Sequence, residues 1–231
     1  MKKRMVGFTL IEMSIVLIVI SLILAGVLKT VSVQRQQLKR DETRQQLETI
    51  KQALIGFATV EGRLPCPDTD NDGQSNPVNV PFGSPCTADE GFIPHIDIGI
   101  GQEDAWGNRF RYRVRGTGVN SFADNPDPAS ATPSSSFTLA QVGNLRIEDG
   151  AAALVAANMP AVIISYAENG SQTISNIVCA AGVPSATEDE NCNNDTTFIA
   201  DDYRTDYDDL IVWVPLTVLK NRMIEAGNLG N

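Results

Sequence analysis

Residues 2–28 read KKRMVGFTLIEMSIVLIVISLILAGVL, and the order of their parts decides how the rest of the chain is built. Lys2, Lys3 and Arg4 precede Gly7, and an apolar run follows from Phe8 to Leu28. At about twenty residues, that run is long enough to span a hydrocarbon core as a helix. A cleaved secretory signal has a shorter apolar region, about 7 to 15 residues, ending at a small-residue site. Here the run leads directly into further helix-favouring sequence. Glu12 interrupts it, and an ionised carboxylate there costs a few kcal/mol unless it reaches water or a partner.

Working outward, no proline occurs before Pro65, and Val31–Glu61 is rich in Gln, Arg, Lys, Glu and Leu. These residues favour helix, so one long helix is expected to leave the apolar run. Leu47, Ile50, Leu54 and Phe57 recur at spacings of three and four, the stripe of a helix packed on one side. Helical from Phe8 to Ala58, the element would extend roughly 75 Å at 1.5 Å per residue. Gly26 and Gly56 are the points where it could bend or fray.

The chain has 231 residues and a formal net charge of −10, unevenly placed. Met1–Arg40 holds seven Lys or Arg against the single acid Glu12, and the remainder holds eleven bases against twenty-seven acids. An acidic body repels phosphate backbones, so nucleic acid is not an expected partner and cations are the better ligands. Cys66, Cys86, Cys179 and Cys192 all lie beyond the apolar run, which suits two disulfides made in an oxidising compartment after export. Three connectivities exist; the local one, Cys66 with Cys86 and Cys179 with Cys192, is expected, each bond contributing roughly 2 to 4 kcal/mol. Nineteen and twelve residues separate the cysteines of each pair and His95 is the only histidine, a poor match to a zinc site.

Gly7-Phe8-Thr9-Leu10-Ile11-Glu12, with basic residues before it, resembles the processing site of type IV prepilins and type II secretion pseudopilins. The resemblance implies that a prepilin peptidase cuts after Gly7 and methylates the new amino group of Phe8. Residues 1–7 are then a cytoplasmic leader, 8–28 a transmembrane helix, 29–61 its continuation and 62–231 a globular domain with disulfide loops 66–86 and 179–192. It also implies that Glu12 pairs with the Phe8 amine of a neighbouring subunit during assembly. Two opposite charges in lipid are each costly alone and tolerable together, so such a pair selects register. A Glu12 that snorkels to the headgroups is the plainer alternative.

Arg109–Arg115 alternates, with Phe110, Tyr112 and Val114 on one face and four arginines on the other. A half-buried strand is expected, its arginines a solvated face or a docking face for acidic partners. Phe137–Val142, Ala161–Tyr166 and Leu210–Val214 are further strand candidates, residues 116–136 read as a long surface loop, and Pro215 opens a short helix ending near Gly227. Asp104-Ala105-Trp106-Gly107-Asn108, with Tyr112 beyond, looks like the Asp-Pro-Trp-Gly-Asn turn of major pseudopilins, departing at Ala105. Trp106 and Trp213 read as packing anchors. The expected fold is α+β and pilin-like: a long N-terminal helix, membrane-spanning in its first half, packed on a mainly antiparallel sheet, with a short C-terminal helix.

Asp68, Asp70 and Asp72, spaced by two before Gly73, match the opening of an EF-hand-like calcium loop, with Gln74 supplying a backbone carbonyl. Asn79 stands where the bidentate Glu should be, and a polar turn within the Cys66–Cys86 loop is the alternative. Asp201, Asp202, Asp206, Asp208 and Asp209 form a second acidic group that could hold a hard cation or be a solvated surface. His95 sits in no recognisable catalytic motif, a loop position is expected for it, and no phosphate-binding glycine loop is present, so nothing argues for an enzyme and no cofactor is required. The expected function is structural: a subunit of a type IV pilus or type II secretion pseudopilus, processed by prepilin peptidase and extracted from the inner membrane by an assembly platform to join other pilin subunits. A minor or tip subunit whose loops bind a surface, an exported substrate or a partner pilin is the alternative.

Overall fold

The computed structural model describes residues 7, 9–77, 84–116, 121–124, 136–170, 186–193 and 195–229, with only the backbone of 24–31. Helix α1 is Leu10–Glu61. The chain divides into two units, Met1–Asp41 and Glu42–Asn231. In the first, Leu10 to Ile23 present their apolar side chains to solvent, Leu10 at 93 % and Leu22 at 70 % exposure. Ser14 and Ser21 donate their hydroxyls to the carbonyls of Leu10 and Leu17 four residues back, at 2.9 and 2.7 Å, which satisfies both without water. Among the described residues no helix is long and apolar enough to cross a membrane. Phe8 and the side chains of 24–28, which belong to the expected span, lie outside that description.

The second unit begins within α1 and places its other elements around a four-stranded antiparallel sheet. The strands are β1 (Glu90–Phe92), β2 (Arg111–Val114), β5 (Ala161–Ser165) and β7 (Leu210–Val214), in the order β1-β2-β5-β7. A second sheet, ordered β4-β3-β6, joins β3 (Leu145–Glu148) antiparallel to β4 (Leu154–Met159) and parallel to β6 (Thr197–Ile199). Single-turn helices occupy His95–Ile98 (α2) and Ala186–Glu190 (α3), and α4 runs Leu216–Glu225.

Register explains the core. Tyr112 faces Ile163, which faces Val212, and Val114 faces Ala161, which faces Val214. This row packs on Leu47, Ile50, Leu54, Ile55 and Ala58 of α1. The stripe expected on the helix is therefore core, although Phe57 is only half-buried, with the Arg63 guanidinium 5.5 Å from its ring centre. Gly56 does not break the helix, which ends at Glu61 where Gly62 turns left-handed at φ 71° and donates to Ala58 O at 3.0 Å.

The opposite row of the same sheet carries Arg111, Arg113, Val162, Ile164, Ile211 and Trp213. The last four pack against Leu145, Ile147 and Phe198 of the second sheet. The expectation of a solvated arginine face is thus overturned: Arg111 and Arg113 are 2 % and 7 % exposed, on an interior strand. Glu90 on β1 compensates them, accepting from Arg111 through Oε1 and from Arg113 through Oε2, the latter at 2.7 Å. The strand is also shorter than the alternating run, since Arg109 makes only an isolated bridge to Glu103.

Other expectations divide. Leu210–Val214 and Ala161–Ser165 are strands, and the helix after Pro215 ends before Gly227 as read. Phe137–Val142 forms no strand; its Phe137 is buried against Phe122, ring centres 4.6 Å apart. Phe122 comes from the segment expected to be surface loop, and most of that segment lies outside the described residues. His95 starts the α2 turn instead of sitting in a loop.

Candidate functional site

At the N-terminus, Gly7 is exposed and Phe8 lies outside the described residues. Thr9 and Glu12 face each other across the first turn of α1. The Glu12 N–H donates to Thr9 Oγ1 at 3.3 Å, and the Thr9 N–H donates to Glu12 Oε2 at 3.5 Å. This is a capping box, which ties the carboxylate to the positive end of the helix. The Thr-x-x-Glu spacing of residues 9–12 carries that signal in the sequence, beside the membrane cost and the pairing expected of Glu12.

Cys66 and Cys86 form a disulfide with Cα atoms 5.4 Å apart, and both are buried in the core beside α1. Cys192 is buried and is not a free thiol. Cys179, its expected partner, lies outside the described residues.

Inside the first disulfide loop the carboxylates of Asp68, Asp70 and Asp72 do converge, an oxygen of each lying within 4.8 Å of the others. The loop's own donors occupy part of their acceptor capacity. Asp68 Oδ1 accepts from the Asn71 N–H at 2.6 Å and Oδ2 from the Gly73 N–H at 2.9 Å. Asp72 accepts the Gln74 N–H at 2.8 Å and the Gln74 side-chain amide at 3.2 Å. Asp68 is buried and bridges to Phe92, an approach that needs Gly91, because a Cβ there would meet Asp68 O at 2.3 Å. Asp70 and Asp72 are exposed. The arrangement is a polar turn around one buried aspartate, bonded in part to its own backbone, and its three carboxylates remain within reach of one cation.

The second acidic group does not hold together. Asp201 and Asp206 both pair with Arg204, and Asp202 stays exposed. The N–H of Asp202, then Arg204, hold the Asp201 carboxyl below its usual value. Asp208 and Asp209 instead meet Glu188 of α3, with one oxygen from each of the three within 4.8 Å of the others. Glu188 and Asp209 are each 3 % exposed. Burial, then the neighbouring Glu188, pushes Asp208 up to about 7. Burial also pushes Asp209 well above the ordinary carboxylate value, with the charges of Glu188 and Asp208 acting in the same direction. Sequence reasoning missed Glu188, which stands twenty residues before Asp208 with no motif linking them.

The turn at Asp104 is explained by its carboxylate. Oδ1 accepts the Trp106 and Asn108 N–H groups at 2.8 and 2.9 Å, and Oδ2 accepts the Ser165 hydroxyl at 2.6 Å. The Asn108 side-chain amide reaches Ala167 O, and Gly107 has φ 87°. One aspartate thereby fixes a hairpin turn to β5, so the Asp-x-Trp-Gly-Asn pattern is an architectural device. Compared with protein-family models, curated proteins and solved structures, the chain matches none.

Proposed function

We propose that the protein is a prepilin-type structural subunit, cut after Gly7 by a prepilin peptidase, methylated at Phe8 and assembled through its N-terminal helix into a type IV pilus or type II secretion pseudopilus. The observation that carries the reading is the sequence Gly7–Glu12 with its basic leader, set at the head of an apolar run. A helix with exposed apolar side chains from Leu10 to Ile23 supports it, because such a surface needs lipid or other helices around it. An α+β domain whose sheet packs on the later part of that helix is what a pilin-like subunit requires. On this reading the chain is first anchored in an inner membrane with its leader in the cytoplasm and its disulfide-bearing domain outside, and it then enters the filament through the assembly platform. Its role is structural rather than enzymatic.

Glu12 is the assembly residue. Its capping box holds the carboxylate at the helix end, where cleavage would create the Phe8 amine. A neighbouring subunit's amine then supplies the countercharge. Co-expression with a prepilin peptidase tests the reading: the chain should lose residues 1–7 and gain one methyl group, and a chain that keeps its leader would oppose it.

A minor or tip subunit is the second reading. It is favoured by the outer sheet, whose edge strand β4 exposes Leu154 at 53 % and Val155 at 49 %. Scarcity in isolated filaments would support that reading, and abundance would support a major subunit.

A further inference from the structure

We propose that Glu188, Asp208 and Asp209 bind one divalent cation of the hard, oxygen-preferring class, calcium, between α3 and the chain leading into β7. The site rests on the globular unit alone and stands or falls independently of the assembly reading.

The three carboxylates place one oxygen each within 4.8 Å of the others. Two oxygens on opposite sides of one calcium ion, each at about 2.3–2.6 Å, are separated by about this much at most, so one ion can reach all three. Calcium also accepts the irregular, flexible ligand sets that magnesium, which demands near-octahedral geometry, does not.

A separate observation points to a missing ligand. Asp209 is almost wholly buried, yet its Oδ1 has no hydrogen-bond partner, and Oδ1 of Asp208 is likewise buried and unpartnered. The other oxygen of each is tied from behind. Asp209 Oδ2 accepts from Asn191 Nδ2 at 2.7 Å, and Asp208 Oδ2 accepts from the Glu168 N–H at 2.9 Å. Glu188 differs in that both its oxygens accept from neutral donors, Oε1 from the Asp208 N–H at 3.0 Å and Oε2 from Asn169 Nδ2 at 2.9 Å. In Asp208 and Asp209, one oxygen held by a neutral donor and the other without a hydrogen bond is how outer groups orient metal ligands.

Among the described residues no cationic side chain is seen to balance the charge of these aspartates: every one of those donors is neutral, and no salt bridge reaches Asp208 or Asp209. Buried carboxylates without a countercharge are costly, and a divalent ion removes that cost. Asn191, which bonds Asp209, also holds Ile199 of β6 through both its amide groups, so the ion would fasten α3, β6 and β7 together.

The experiment uses the full chain purified in detergent, stripped with a chelator and titrated with calcium chloride by calorimetry and by thermal unfolding. The expected result is one ion per chain with a rise in Tm, because an ion that binds only the native state must raise stability. Asp209→Asn and Glu188→Gln should each weaken binding by about tenfold or more, and Asp70→Asn should leave it unchanged. The wild-type titration is decisive even if a variant fails to fold. No heat and an unchanged Tm at millimolar calcium would overturn the site, as would a response that survives both substitutions or disappears in Asp70→Asn.

Discussion

Glu90 accepts from two guanidiniums, those of Arg111 and Arg113, in a region where all three side chains are almost fully buried. Removing it would take the countercharge from two cations buried between two sheets. Glu90→Ala should therefore destabilise the protein by roughly 3–5 kcal/mol, read as a lowered midpoint of urea unfolding. A change within experimental error would mean that the guanidiniums reach water. Glu12 poses the other question at this scale, since it makes a local cap and is also proposed to pair between subunits. Thr9→Ala removes the cap's hydroxyl and keeps the carboxylate, whereas Glu12→Val removes the carboxylate. Both should be cleaved, and Glu12→Val alone should fail to enter filaments, scored by the subunit content of sheared material. Equal loss in both variants would assign Glu12 to capping alone. The Asp104 turn was legible beforehand because its pattern is local. Glu188 was not, because its meeting with Asp208 and Asp209 depends on how α3 is carried back over the sheet.

The elements divide along the same line. Leu210–Val214 is an apolar run bounded by Asp209 and Pro215, so its strand is readable from composition. The alternation of residues 110–114 was also readable, but the burial of both its faces depends on the second sheet and on Glu90. That sheet is built from β3, β4 and β6, short strands of which β4 is largely exposed, and its parallel pair β3–β6 joins residues fifty-one apart in the chain. No local period announces such a pairing. The disulfide at the other side of the core gives a simpler test: replacing Cys66 and Cys86 by serine together should lower stability by roughly 2–4 kcal/mol. The α3–β7 junction gives a pH test. Burial raises Asp208 and Asp209, with Glu188 and Asp208 facing them and Glu168 adjoining through its backbone. A carboxyl raised in the folded state contributes stability that is full below its unfolded value, about 4, and is lost as pH rises through its folded value. Calcium-free protein should accordingly lose Tm as pH rises from about 4 and level off above the Asp208 value of about 7. An absent or reversed slope, traced by the loss of that difference in Asp209→Asn, would contradict the burial assigned to these groups.

For the whole molecule, the account joins a basic leader, an apolar helix with its side chains exposed, and an acidic α+β unit whose sheet is covered on both faces. The covering has a functional consequence. With the later part of α1 on one face and the second sheet on the other, the described residues of the central sheet are buried or half-buried, so in the proposed filament the exposed apolar side chains of the N-terminal helix and of the edge strand β4 would be the surfaces left for other subunits. Assembly would then depend on an N-terminus that does not exist until the leader is removed. The most direct measurement is the intact mass and N-terminal sequence of the protein recovered from cells carrying a prepilin peptidase. The account predicts a chain that begins at N-methylated Phe8 and retains the apolar helix. A chain that still carries residues 1–7, or one cut beyond the apolar run, would contradict it.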